Sequence, residues 1–268
     1  MLAAASMTVL GAYSAAGGDR DPRVTGPEYR DVLALAARIT DRLRVPPREP
    51  DRGARTFGGP PTRVPYRGRS VELDLDRSLE GILRSGGPRD EDLVVVERLR
   101  RRRDVVLGVD VSGSMRGERV RAAVATVAAL AAELRPDRVA VVAFGSDGVV
   151  ISDLTHPSSV NRLVRDLLAV RVRGLTNISL GIDVGRGLLG RSVGVDRRII
   201  LLSDMIHNAG PDPRPAAARA PRVDVLLDAT GEHDAVLARE VAREGHGIAA
   251  VVRSHRDVAR SLTRLFSR

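Results

Sequence analysis

Side chains with oxygen donors follow the first long apolar run of the chain, in the stretch DVSGSM, which supplies Asp110, Ser112 and Ser114. Because such a run predicts a buried β-strand, one carboxylate and two hydroxyls would enter a tight turn at its end. Thr176 follows in GLTNIS, and Asp204 follows another apolar run in SDM. Hard cations such as Mg²⁺ prefer oxygen ligands and keep room for water or an outside oxygen. The five side chains therefore predict a site for Mg²⁺ or Mn²⁺.

Apolar runs alternate with amphipathic helical patterns from Asp104 to the end of the chain. We predict strands at 104–109, 138–144, 149–151, 198–202, 223–227 and 248–252, and helices at 116–134, 157–170, 178–189, about 234–244 and 255–267. Such alternation favours a doubly wound α/β fold, a mostly parallel sheet with helices on both faces. Ligands of such folds bind beyond the carboxyl ends of the strands, where Asp110 and Asp204 both fall.

The first hundred residues differ from the rest of the chain in composition. We expect residues 1–27 to be flexible, 28–103 to form an N-terminal helical and extended region, and 104–268 to form the α/β domain. Within the N-terminal region, residues 28–45 fit an amphipathic helix. The Pro, Gly and Arg of residues 46–68 are typical of a linker. A second helix is expected in the segment LDLDRSLEGILRSGG, ending at its glycine pair.

The composition excludes several classes of function. All 43 basic residues are Arg, and the chain has neither Lys nor Cys, which excludes catalytic lysines, disulfides and thiolate metal sites. The net charge of +9 allows an acidic partner. Aromatic residues that would stack on bases are too scarce to favour nucleic acid. Arg116 and Arg119 could meet an acidic partner, but a solvated helix face is the default interpretation.

A membrane span and a secretory signal are not expected either. No apolar stretch has the length that spans a bilayer. The first 18 residues are small and apolar, but no basic residue precedes them, which argues against a secretory signal. We therefore expect the protein to reside in the cytoplasm.

The ordered set of oxygen donors resembles the metal-ion-dependent adhesion site of the von Willebrand factor A domain, over about residues 104–252. Asp110, Ser112 and Ser114 match its Asp-x-Ser-x-Ser segment, Thr176 its loop threonine, and Asp204 its later aspartate. Neutral hydroxyl ligands would leave the cation electrophilic, and the two carboxylates would orient bound waters. The resemblance implies a protein-binding module, not an enzyme, that binds an Asp or Glu carboxylate of a partner.

The N-terminal segment followed by an arginine run is similar to bacterial A-domain proteins of the CoxE-like type. These proteins, and the related D subunit of magnesium chelatase, are paired with AAA+ ATPases of the MoxR class. The resemblance implies an adaptor that binds such an ATPase or its client.

The sequence leaves two other functions open. One is a scaffold that keeps the fold and needs no metal. The other is an Mg²⁺-dependent phosphoryl-transfer enzyme that uses Asp110, because a strand followed by Asp also resembles the start of the haloacid-dehalogenase phosphatases. Those enzymes need a second Asp two positions later and a Lys further on. Here Ser112 occupies that position and the chain has no Lys, so this function is disfavoured. The strings HExxH and GxxxxGK[ST] are also absent.

Each predicted ligand also has a purely structural interpretation. Ser112 and Ser114 could cap the helix that follows them, and Asp204 could be a turn residue. Thr155 competes with Thr176 for the threonine role. We favour Thr176 because a nearby glycine gives its loop the freedom to approach an ion. Asn177 would cap the next helix, and His207 would be an exposed loop residue or lie at the rim of the site.

Overall fold

The computed structural model describes ten stretches of the chain: residues 26–43, 45, 61–65, 74–85, 93–98, 103–115, 117–134, 137–170, 174–192 and 196–267. In chain order the elements are α1 (Pro27–Thr40), β1 (Pro61–Pro65), α2 (Leu75–Ser85), β2 (Val94–Arg98), β3 (Arg103–Asp110), a 3₁₀ turn (Gly113–Met115), α3 (Glu118–Glu133), β4 (Arg138–Phe144), β5 (Gly148–Ser152), α4 (Val160–Ala169), α5 (Ile178–Gly190), β6 (Asp196–Ser203), α6 (Pro213–Ala218), β7 (Val223–Asp228), α7 (Ala235–Glu244), β8 (His246–Val252) and α8 (His255–Phe266).

Strands β3 to β8 form a sheet in the order β5–β4–β3–β6–β7–β8. Five of these strands are parallel, and β5 pairs antiparallel with β4 at one edge. From β3 the chain proceeds outward to β4, and from β6 it proceeds outward in the other direction. The strand order therefore reverses between β3 and β6, the position where doubly wound folds bind their ligands.

Two helical layers cover the sheet, and the strand residues alternate between them. Val105, Leu107 and Val109 of β3 pack in one core with α3, α4 and α8. Val106, between them in sequence, packs in the other core with α5, α6 and α7. All eight residues of β3 are buried, which accounts for its continuous apolar run. The predicted doubly wound α/β fold is confirmed.

Helix α1 adds to the first of these layers. Its residues Val32, Ala36 and Ile39 are buried, as is Leu43 just beyond its end, and all four belong to the core that contains α3 and α8. The predicted amphipathic helix is therefore present, although it ends at Thr40 and not at Val45. The contacts group residues 1–46 with residues 102–268, and residues 47–101 as a separate unit.

The smaller unit contains β1, α2 and β2. Strands β1 and β2 pair antiparallel, with Pro61 opposite Arg98 and Pro65 opposite Val94. Because β1 lies within residues 46–68, the interpretation of that whole stretch as a linker is wrong; two prolines at the strand ends are compatible with a short ladder. The predicted second helix is confirmed as α2.

The predicted strands and helices of the larger unit are all present with small shifts at their ends, and α6 was not predicted. The flexibility expected of residues 1–27 concerns a segment that lies almost entirely outside the described residues. Among the helices that the structure describes, none is both long and apolar enough to span a bilayer.

Candidate metal centre

Asp110 is the last residue of β3, and its carboxylate is fully buried. Its Oδ1 accepts a hydrogen bond from the backbone N–H of Ser112 at 2.9 Å. Its Oδ2 accepts one from the hydroxyl of Ser203, the last residue of β6, at 2.5 Å. The carboxylate thus joins the ends of the two central strands.

Burial raises the pKa of Asp110 from 3.8 to about 6, because a buried carboxylate loses the hydration that stabilises its charged form. Hydrogen bonds from Ser112 and Ser203 oppose this rise, and the nearby negative charge of Asp204 adds to it. A cation bound at this edge would offset both the lost hydration and the repulsion between the two carboxylates.

Ser112 and Ser114 lie together in the turn after β3. Their Oγ atoms are 3.2 Å apart and hydrogen bonded; Ser112 is buried and Ser114 is exposed. Helix α3 begins after Gly117 without any side-chain cap. The interpretation that these serines cap α3 is therefore wrong, and their hydroxyls remain available as ligands.

Asp204 follows β6 directly and is also fully buried. Its Oδ1 accepts a hydrogen bond from the backbone N–H of Ile206 at 3.1 Å, so the predicted turn role is real for that oxygen. Between them, Met205 adopts a φ of 62°, which is uncommon for a residue with a side chain. The buried Oδ2 accepts no hydrogen bond from any described residue. Nη2 of Arg119 lies 3.3 Å from it, within ion-pair distance but without hydrogen-bond alignment.

Thr176 lies in a loop that is hydrogen bonded both to the serine turn and to the segment after Asp204. Gly174 O accepts a hydrogen bond from the N–H of Gly113, in the serine turn, at 3.1 Å. Asn208, which follows Asp204, accepts through Oδ1 from the N–H of Thr176 at 2.7 Å, and its own N–H donates to Thr176 O at 3.2 Å. Thr176 itself is buried. The three segments that carry the predicted ligands are thus hydrogen bonded to one another.

Gly174 permits this close approach of the Thr176 loop. Its φ is +82°, in the region that favours glycine, and an added Cβ would lie 2.5 Å from the hydroxyl oxygen of Ser146. That hydroxyl accepts from the N–H of Leu175 at 3.0 Å. A side chain at position 174 would therefore displace the loop.

The competing residues have other partners. Thr155 is exposed, and its hydroxyl donates to Oδ1 of Asp153 at 2.8 Å. Asn177 caps α5, as predicted, by accepting from the N–H of Leu180 at 3.0 Å. His207 is half-buried, and its Nδ1 accepts from the N–H of Ile178 at 3.4 Å. His207 therefore helps to hold the start of α5 and is not simply an exposed loop residue.

The chemistry of the donor set fits a hard divalent cation. Two buried carboxylates and the two serine hydroxyls lie at this edge of the sheet, the loop of Thr176 is hydrogen bonded to the serine turn, and one buried carboxylate oxygen lacks a hydrogen-bond donor among the described residues. Oxygen donors of this kind suit Mg²⁺ or Mn²⁺ and do not suit soft metals. No group of three or more His, Asp or Glu side chains within the described stretches is arranged to hold a metal. A metal centre here would therefore depend on Ser112, Ser114 and Thr176.

Two residues contact the predicted ligands although the sequence did not predict them to lie at the site. Ser203 binds Asp110 across the sheet; its role follows from the register that pairs Val109 with Leu202, which was not predicted. Arg119 was expected on a solvated helix face, but its side chain is only 17% exposed and contacts Asp204. That expectation is wrong for Arg119, and Arg116 lies outside the described residues.

Comparison with known families identifies the type of domain. Residues 105–207 match the model of the von Willebrand factor type A domain, so the chain contains a domain of this type. Domains of this family are protein-interaction modules. No curated protein matches the sequence closely enough to count as a relative.

Solved structures support the fold. An aerotolerance-related membrane protein from Bacteroides fragilis, carrying multiple mutations to serines, matches with a TM-score of 0.53 and 19% identity, over 62% of this chain and 98% of that one. BatB from Bacteroides thetaiotaomicron matches with a TM-score of 0.51 and 19% identity, over 62% of this chain and all of that one. A von Willebrand factor type A protein from Catenulispora acidiphila matches with a TM-score of 0.51 and 17% identity, over 65% and 43% of the two chains.

The raised pKa of Asp110 predicts a pH dependence of stability in the presence of a chelator. Its folded-state pKa of about 6 exceeds the unfolded value of 3.8, so the folded protein binds this proton more tightly. The free energy of unfolding should therefore fall as the pH rises from about 4 to 6.5, by up to about 3 kcal/mol from this group. Urea unfolding of the wild type and Asp110→Asn across this range measures the effect. Parallel pH profiles of the two proteins would contradict it.

Proposed function

We propose that the protein is a metal-dependent protein-binding module that uses bound Mg²⁺ or Mn²⁺ to recognise a carboxylate on a partner. The observation that carries the proposal is the pair of buried carboxylates, Asp110 and Asp204, at the reversal of the strand order, with an Asp204 oxygen that no described donor satisfies. Burying charge in this way is costly unless a cation compensates it.

In this proposal Ser112 and Ser114 hold the ion through their hydroxyl oxygens, and Thr176 holds it directly or through water. Asp110 and Asp204 supply negative charge and orient the waters of the coordination shell. When bound, the ion supplies a positive charge and an open coordination position for a carboxylate. Ser114 is exposed while Ser112 is buried, which places solvent access on the Ser114 side of the turn.

The partner would be an Asp or Glu side chain on another protein. An AAA+ ATPase of the MoxR class, or its client, is the partner that the resemblance to CoxE-like proteins favours. Adhesion or scaffold modules of this family are generally not enzymes. The proposal therefore assigns binding and not catalysis to this site.

Mg²⁺ should raise the melting temperature of the wild type and leave that of Asp110→Asn unchanged. At a concentration of 100 times Kd, a ligand that binds only the folded state stabilises it by about 2.7 kcal/mol. For a domain of this size that corresponds to a shift of several degrees, on the order of 2–4 °C per kcal/mol. Thermal unfolding in EDTA and in Mg²⁺ measures the shift.

Threonine variants provide the matched control for this experiment. Thr176→Ala should lose most of the Mg²⁺ response, whereas Thr155→Ala should keep it, because Thr155 contacts Asp153 on the exposed surface. A wild type that does not respond to Mg²⁺ would support the metal-independent scaffold instead. An equal loss in both variants would contradict the assignment of Thr176.

Partner capture tests the second half of the proposal. The wild-type chain used as bait should retain a partner in Mg²⁺, release it in EDTA and bind it again when Mg²⁺ is restored. Thr176→Ala should capture little, and Thr155→Ala should behave as the wild type. Recovery of the same proteins with and without chelator would contradict metal-mediated recognition, even if the thermal shift is observed. Mass spectrometry of the released fraction tests whether an AAA+ ATPase is among them.

A further inference from the structure

Asp204 requires a compensating charge even when no divalent cation is bound. Its carboxylate is fully buried, only one of its oxygens accepts a hydrogen bond from a described residue, and Asp110 adds a second buried negative charge nearby. An uncompensated carboxylate in such surroundings would destabilise the fold, as happens when a buried ion pair loses one partner.

The guanidinium of Arg119 lies against this carboxylate and is held there by several contacts. Its Nη2 is 3.3 Å from Asp204 Oδ2. Its Nε donates to Asp228 Oδ2 at 3.0 Å, its Nη1 donates to Ser114 O at 3.0 Å, and its Nη2 donates to Glu232 O at 3.3 Å. Arg119 therefore connects the ends of β6 and β7 with the serine turn.

The position of Arg119 in its own helix is not favourable by itself. It lies in the first turn of α3, where the helix dipole disfavours positive charge. Its interactions with Asp204, Asp228 and two carbonyl oxygens must offset this cost. Arg121, two residues later, differs: its partners are Glu28 and Glu118, and its side chain is 35% exposed.

We infer that Arg119 is an internal counter-cation of Asp204, which stabilises the site when no metal is bound and lowers its affinity for a divalent cation. The guanidinium and a divalent ion are attracted by the same buried carboxylate, and they repel each other. Asp228 takes part of the charge of Arg119 and moderates this effect. A site tuned in this way binds the ion more firmly once a partner carboxylate adds negative charge. The inference rests on the proposed metal site.

Calorimetric titration with Mg²⁺ and Mn²⁺ tests the effect on affinity. Arg119→Met removes the charge and keeps a long apolar side chain, so it should bind Mg²⁺ about five- to tenfold more tightly than the wild type, the order expected for one positive charge acting on a nearby divalent ion. Arg121→Met is the matched control, because it makes the same change in net charge on the same helix. Its affinity for Mg²⁺ should stay within about twofold of the wild type, since its partners lie elsewhere.

Equal or weaker Mg²⁺ binding by Arg119→Met, with Arg121→Met unchanged, would overturn the inference and make Arg119 a residue that only positions the loops. A similar gain in both variants would also overturn it, because the effect would then be one of net charge. Failure of all three proteins to bind either ion would instead contradict the proposed metal site, and with it the effect of Arg119 on affinity.

Stability in EDTA tests the pairing without any metal. Arg119→Met should lower the melting temperature, and that loss should be at most about half as large in an Asp204→Asn background, because the charge that Arg119 compensates is then absent. The remaining loss reflects its contacts with Asp228 and the two carbonyls. An equal loss in both backgrounds would show that Arg119 does not compensate Asp204.

Discussion

The parallel pairing of β3 with β6 is the constraint on which the site depends. It places the ends of the two central strands side by side, so that Ser203 of β6 reaches Asp110 of β3 and Asp204 follows one residue later. Two carboxylates are thereby buried near each other at the reversal of the strand order. This arrangement destabilises the folded state, because burial and mutual repulsion both disfavour ionised carboxylates.

The loops around this edge reduce that cost in different ways. Backbone N–H groups of Ser112 and Ile206 each donate to one carboxylate, and Arg119 brings a positive charge to Asp204. The Thr176 loop closes the edge through hydrogen bonds to the serine turn and to the segment after Asp204. What these contacts leave unsatisfied is one buried oxygen of Asp204, the feature that suits a cation best.

Much of the fold could be predicted because its signals are local. The continuous apolar run of β3 and the amphipathic pattern of α1 follow directly from burial. The site could be predicted less completely from the sequence. The role of Ser203 is recognised only through the strand register, and that of Arg119 only through the packing of α3 against the loops. The β1–β2 ladder was missed for the same reason: a strand rich in proline and arginine is defined by its partner at residues 94–98 and not by its own composition. Cytoplasmic residence and the ATPase partner stay predictions.

The central claim is that five oxygen donors from three segments surround one cation at this edge of the sheet. Anomalous diffraction from crystals grown with Mn²⁺ would test it most directly. The account predicts a single strong peak at about 2.0–2.5 Å from the hydroxyl oxygens of Ser112 and Ser114, on the side that faces Thr176 and Asp204. A peak that these residues do not contact, or well-ordered loops without a peak at saturating Mn²⁺, would contradict it.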